Sequence, residues 1–346
     1  MRSSRLQTSW LITLVLGGFL PGGLMPGCQP TLPRKSPALH RKPASSGVFI
    51  PIATEPIYHL LPGYDSQWQE QVREGIEMAR RYWGGYGPVR VWVIGTEDTG
   101  PIPEVAKNAF IEEYCGWRTA GIDVTADECR GQVEVRFIDV AERGEPQAYL
   151  SWVDDFEQPE AELVFINVDR WYFRGDPIPD PVLRGIHEYT HVFQMAFGPM
   201  PTWMMEGGAV FSEAWIPWIQ GRCDFDFFST RMRHLLDGIQ KMDGTGLSIA
   251  DMEDIDTASP SARKHHRELA YDAGAWAFVF LIHRSSSRSV SGLREVFFPL
   301  IKTHGWEKAL DLHLDINGKE DFYLAFEDFM EASLEMKLEA LREIEP

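Results

Sequence analysis

The run His187-Glu188-Tyr189-Thr190-His191 places two imidazoles and a carboxylate within five residues. On a helix His187 and His191 sit one turn apart, so both rings can reach one Zn²⁺. Glu188, beside the first histidine, can take a proton from a water that the metal activates. The motif fixes only three positions, so its bland alternative is a solvated helix face that happens to carry two histidines. A second acidic segment, Trp203-Met204-Met205-Glu206-Gly207-Gly208-Ala209, follows at a short distance and argues against that alternative.

The elements that must hold these residues can be read around them. Pro181 to Ala196 reads as one helix, with Asp180 as its N-cap and Pro181 in the first position, where a missing N–H costs nothing. Ile186, Thr190, Phe193 and Phe197 recur every three to four residues and give it a buried face. Gly198-Pro199 ends it, and Thr202 is placed to cap the next helix.

These two segments resemble the H-E-x-x-H…W-x-x-E-G-x-A pattern of the gluzincins, and within them the bacterial peptidase-MA-like proteins, related to the thermolysin and aminopeptidase folds. The close match covers about 30 residues, from His187 to Phe211 and its flanks. No H-x-x-G-x-x-H follows His191, so the metzincin pattern is excluded. The resemblance implies zinc held by His187, His191 and Glu206, with Glu188 as general base. A hairpin of two helices is consistent with this: Glu206 lies about one turn into the second helix, level with His191. Glu213 lies roughly 10 Å further along, nearer the other end of the first helix. Glu213 is then either a group behind the metal ligands or simply a polar residue. Ala209 stands where the family's second helix has a small or acidic residue, which leaves the usual partner of a histidine ligand without an occupant. The resemblance also suits Tyr271 to the hydrogen bond that stabilises a tetrahedral oxyanion, although a core tyrosine at a helix start explains it equally well. His234, His265 and His266 could serve the same purpose, but a solvated helix face is the better reading for each. No G-x-M-E-N signature points to aminopeptidase specificity.

The chain has 346 residues, 44% hydrophobic and 12% aromatic, enough for a packed core. Its net charge of −18 is uneven. Residues 1–47 carry six Lys/Arg and no acid, which leaves 27 basic against 51 acidic residues, a net of −24, for the rest. Such a surface repels phosphate backbones, so nucleic acid is excluded as the expected partner. The 12 tryptophans are spread along the chain and read as core packing, not a carbohydrate platform.

Arg2 and Arg5 precede the apolar run Trp10 to Leu20, which reads as a signal peptide over residues 1–27. Leu24-Met25-Pro26-Gly27-Cys28 is similar to a bacterial lipobox, although Met25 and Pro26 depart from it, and it marks Cys28 for lipidation. The alternative is ordinary cleavage nearby. Residues 28–47, with Pro30, Pro33, Pro37 and Pro43, read as a tether to the domain 48–346. The expected location is the bacterial cell envelope, anchored to the membrane by lipid. Cys115 and Cys129 flank a short loop and are expected to form a disulfide, worth about 3 kcal/mol, leaving Cys223 as a thiol.

Strands are expected at Ile57–Leu61, Val89–Ile94, Val133–Ile138 and Leu163–Val168, with helices at Ser66–Trp83 and Pro103–Tyr114. After Asp180 only helices are expected, over 203–216, 226–242, 261–284, 290–302, 305–313 and 320–342. Strands first and helices afterwards give an α+β domain with its sheet against the motif helix and a mainly helical C-terminal lobe. The family resemblance makes this a zincin fold. Leu163–Val168, shortly before the motif helix, reads as the sheet edge along which an extended peptide pairs. The expected activity is zinc-dependent peptide hydrolysis. Two other classes stand beside it: a non-catalytic envelope lipoprotein that uses the fold for binding or assembly, and a hydrolase of non-peptide amides. The intact Glu188 favours chemistry, since a pure binder has no need of a base there.

Overall fold

The computed structural model describes residues 47–96, 100–120, 125–153, 158–170 and 177–346. The signal peptide, Cys28 and all of the tether but Gly47 lie outside the described residues. The chain enters the domain where the Val48 N–H donates to the Met195 carbonyl, at the end of the motif helix.

The architecture is α+β. A short ribbon, β1 (Ile50–Pro51) against β3 (Tyr86–Gly87), flanks a four-stranded sheet. That sheet has the order β2 (Ile57–Leu60), β4 (Val89–Ile94), β6 (Glu160–Ile166), β5 (Gln147–Val153). The first three strands are parallel, with Ile57 opposite Arg90 and Val91 opposite Leu163, and β5 runs antiparallel to β6. Every residue of β6 is buried, as expected of a strand covered on both faces.

Helix α1 (Ser66–Trp83) is capped by the Asp65 carboxylate and ends in Arg80 and Arg81, favourable at a helix C-terminus. The other side of the sheet meets α2 (Glu104–Arg118) and α3 (Ala126–Val133), which the Cys115–Cys129 disulfide joins as expected. Trp92 packs edge-on against Phe110, and Phe137 stacks on Tyr149.

The motif helix α5 (Asp180–Met195) follows a short α4 (Asp139–Glu142) and the strands, and α1 lies along it. Trp83 stacks on Phe193 with ring centroids 4.5 Å apart. The close approach is set by Gly185, where a Cβ would fall 2.4 Å from the Val72 carbonyl oxygen. The Tyr189 hydroxyl donates to Gly84 O and accepts from Tyr86 N, tying α5 to the ribbon. Helices α6 (Thr202–Ile219), α7 (Phe225–Ile239) and α8 (Pro260–Lys264) come next. A π-helical segment, Arg267–Ala273, then leads into α9 (Gly274–Arg284). Among the described residues no helix is long and apolar enough to cross a membrane.

Several expectations are corrected. Val133–Ile138 is not a strand but the junction of α3 with a π-helical turn, Glu134–Ile138. Its alternation is broken because Val135 is exposed while Val133, Phe137 and Ile138 are buried, a helical period. The helix is started upstream by a capping box between Thr125 and Glu128. The strand in that part of the chain is β5. Leu163–Val168 is not an edge: β6 is flanked by β4 and β5, and β5 is the outer strand. Asp180 lies inside α5 and pairs with Arg184 at 3.9 Å, while Pro179 holds the N-cap position. Thr202 does not cap α6; its hydroxyl accepts from Ile255 N. The helices expected at 261–284 and 320–342 are each interrupted, the second where Ser333 caps the last helix.

Candidate metal centre

From Asp180 to Gln194 every residue of α5 is buried, so its two histidines do not form a solvated face. His187 is 1% exposed and His191 4%, their rings at 88° to each other with centroids 4.8 Å apart. Gly198, at positive φ, lets the chain turn back, and α6 returns alongside α5. This brings Glu206, 2% exposed, between the two rings. Its Oε2 lies 3.3 Å from His187 Nε2 and 3.4 Å from His191 Nε2. None of these three atoms is satisfied by a hydrogen bond. Three buried, orphaned ligand atoms that converge on one point, all within 4.8 Å of one another, could hold a metal ion.

The outer nitrogens are firmly held. The Gln194 amide donates to the Met204 and Met205 carbonyls at 3.2 and 3.0 Å, so its oxygen must face His191 Nδ1, 2.9 Å away. That oxygen only accepts, which puts the proton on Nδ1 and leaves Nε2 free for a metal. Glu213 does the same for His187, with Oε1 2.8 Å from Nδ1. Glu213 also accepts from Arg184 at 3.2 Å and from Arg231 at 3.1 Å. It occupies the role that Ala209 leaves open, one helical turn further along α6.

The electrostatics follow. Burial alone would raise Glu213, but Arg184, His187 and Arg231 hold it down at about 2. Burial likewise opposes the ionised form of Glu206, which the two imidazoles keep well below the usual carboxylate range. His187 is disfavoured as a cation by burial, yet Glu206 and Glu213 push it up to about 10. A site so rich in carboxylate suits a cation at its centre.

Glu188, 1% exposed, is not drawn into this set, and its Oε2 has no hydrogen-bond partner. Burial raises its pKa, which suits a group that must accept a proton and release it again; His187 and His191 oppose that shift. Tyr271, from the π-helical segment, stacks parallel to His187 with centroids 6.0 Å apart. Its hydroxyl is buried near Glu206 and Glu188 without meeting hydrogen-bond geometry. π turns recur at functional sites, and here one presents the tyrosine to the ligands.

Gly207 and Gly208 are explained by steric contacts on two sides. A Cβ at Gly207 would fall 2.1 Å from the Gly274 carbonyl carbon, and one at Gly208 2.7 Å from Gln194 Nε2. The first glycine therefore seats α6 against the start of α9, and the second leaves room for the glutamine that orients His191.

The structure thus brings together His187, Glu188, His191, Glu206, Tyr271 and Glu213. His234 is exposed and His265 half-buried, as expected of a helix face. His266 is a correction: it packs edge-on against Tyr271 with centroids 5.5 Å apart, and its Nε2 is buried without a partner. Burial lowers its pKa. Sequence reasoning missed Arg184, Gln194 and Arg231. The first two had a signal, lying three residues before His187 and three after His191, on the same helix face. Arg231, on α7, had none. No family model, curated protein or solved structure matches this chain.

Proposed function

We propose that this protein is a zinc metallopeptidase of the gluzincin type, with the zincin fold that the motif helix and its sheet suggest. One observation carries the reading. Zinc–ligand bonds of about 2.0–2.1 Å in a tetrahedral site set neighbouring ligand atoms about 3.3–3.4 Å apart. Glu206 Oε2 stands 3.3 and 3.4 Å from the two imidazole nitrogens. Two histidines and one carboxylate are the donor set of a catalytic rather than a structural zinc.

When bound, zinc supplies Lewis acidity toward the attacking water and the scissile carbonyl. Glu188 takes the proton from that water and passes it to the leaving amine, a transfer for which its burial prepares it. The Tyr271 hydroxyl, held neutral by burial, donates to the oxygen that gains charge. His266, edge-on to the tyrosine, offers a second donor there. Glu213 and Gln194 accept from Nδ1 of the two imidazoles, which turns each Nε2 toward the site and fixes the rings in orientation. The lipid anchor at Cys28 would place this chemistry on the outer side of a bacterial membrane, where the substrate is a peptide or protein.

The test is metal analysis of the purified protein together with hydrolysis of an unbiased peptide library, with and without chelator. One zinc per chain and chelator-sensitive cleavage support the reading. A metal-free protein, or cleavage that survives chelation, overturns it. Hydrolysis confined to non-peptide amides would select the other hydrolase class, and zinc without any hydrolysis the binding module.

A further inference from the structure

We propose that Asp272 forms the floor of a side-chain pocket beside the metal centre that takes a basic residue, lysine or arginine, of the substrate. This rests on the peptidase reading and adds the substrate class.

A cavity of about 680 Å³ lies between α6, α7 and the π-helical segment. Its size falls in the range of about 300–1,000 Å³ found for small-molecule sites. It is lined by Arg184, Glu213 and Tyr271, which also belong to the metal centre, and by Asp272, Gly238, Lys241 and Arg267. Tyr271 and Asp272 are consecutive, so the residue that stacks on His187 and the floor of the cavity are set by the same π turn.

Asp272 is 4% exposed, and no hydrogen bond or ion pair joins it to another described residue. A carboxylate withdrawn from water in this way is costly unless a donor or a cation meets it. Arg267 and Lys241 line the same cavity and are close enough to feel its charge, but their side chains reach solvent and neither comes within ion-pair distance. Burial pushes its carboxyl up to about 7.

Gly238 shows that room for this carboxylate is built into the neighbouring helix. A Cβ there would fall 1.9 Å from Asp272 Oδ2. A glycine inside a helix costs about 1 kcal/mol relative to alanine, and here the missing side chain is the space the carboxylate occupies. An ammonium or guanidinium entering the cavity would find an acceptor without a partner, a strong charge-assisted contact. The other acids of the lining are differently placed: Glu213 is bonded to Arg184, Arg231 and His187, Asp224 caps α7, and Asp226 and Asp237 are exposed.

The experiment is calorimetric binding of a peptide series to the full-length Glu188→Gln protein carrying its metal, with lysine, arginine, norleucine or glutamate at a scanned position. The expected result is at least tenfold tighter binding of lysine or arginine than of norleucine at one position. Asp272→Asn should reduce that preference to within about twofold, and Gly238→Ala, which displaces the carboxylate, should reduce it too. Equal affinity for lysine and norleucine at every position overturns the proposal, and so does a preference that survives in Asp272→Asn. Failure of every peptide to bind overturns it as well. The lysine–norleucine comparison needs no change at Asp272, so it stands even if the variant folds poorly. Turnover by the wild-type protein is read separately. A basic preference in binding without hydrolysis of any peptide would sink the peptidase reading and keep the pocket.

Discussion

Glu213 Oε1 lies 2.8 Å from His187 Nδ1, and the same carboxylate accepts from Arg184 and Arg231. One acid from α6 therefore orients a candidate metal ligand and faces a buried guanidinium. Glu213→Ala should lower metal affinity about 10–100-fold, the usual cost of losing such a partner. It should also destabilise the fold, because buried Arg184 loses one of its carboxylate partners. Chelator competition and denaturant melts measure the two effects. Unchanged affinity would mean that His187 needs no orienting acceptor.

Glu188→Gln should keep full metal stoichiometry and lose hydrolysis by at least about 10²–10⁴-fold, since Glu188 is placed as a base and not as a ligand. Metal analysis beside turnover of a cleavable peptide separates the two roles. Loss of metal in this variant would make Glu188 a ligand after all.

Gly207→Ala should cost about 1–3 kcal/mol or more, because the added Cβ would meet the Gly274 backbone at 2.1 Å and neither main chain can move aside cheaply. Gly116→Ala is the control. Its Cβ meets open space in α2, so the helix should gain up to about 1 kcal/mol. Urea midpoints of both variants decide the matter; equal midpoints would refute the packing account.

Asp272→Asn should be progressively more stable than wild type as pH rises. The carboxyl titrates at about 7 in the folded protein against an ordinary 3.8. The folded state holds the proton more tightly, so its advantage is complete below about pH 4 and is lost as pH climbs through 7. Asparagine has nothing to lose over that window. Melting temperatures at pH 5 and pH 8 should show the variant's lead growing by a few degrees. A constant difference across that range would contradict the burial of an unpartnered carboxylate.

Cys28→Ser should shift the protein from the membrane fraction to the soluble fraction, given the lipobox-like Leu24 to Gly27 ahead of it. Retention equal to wild type would rule out a lipid anchor at this residue.

The metal site was legible in the chain because its geometry is local. Histidines four apart share a face on any helix, and a short helical hairpin brings Glu206 level with His191, whatever surrounds them. The turn at Gly198-Pro199 is an equally local signal, whereas the spacing of Ile186, Thr190 and Phe193 marks no single buried face, because α5 is buried all round. The disulfide between Cys115 and Cys129 was readable from their spacing.

Other features needed the tertiary structure. Val133–Ile138 alternates like a strand and repeats like a helix at once, and only packing of Phe137 against the sheet, with Val135 in solvent, chose between them. β5 carries Ala148 and Ser151 among its buried positions, so its apolar alternation is faint until β6 stands beside it. Arg231 reaches Glu213 across 18 residues, and Asp272 reaches the gap at Gly238 across 34. Such contacts leave no periodic trace, because they depend on how separate helices cross. The chain's own residue types therefore determined which groups could bind a metal and take up a proton. How three helices cross at Gly207, Gly238 and Gly274 decided which charges stand behind those groups, and which one lines the neighbouring cavity.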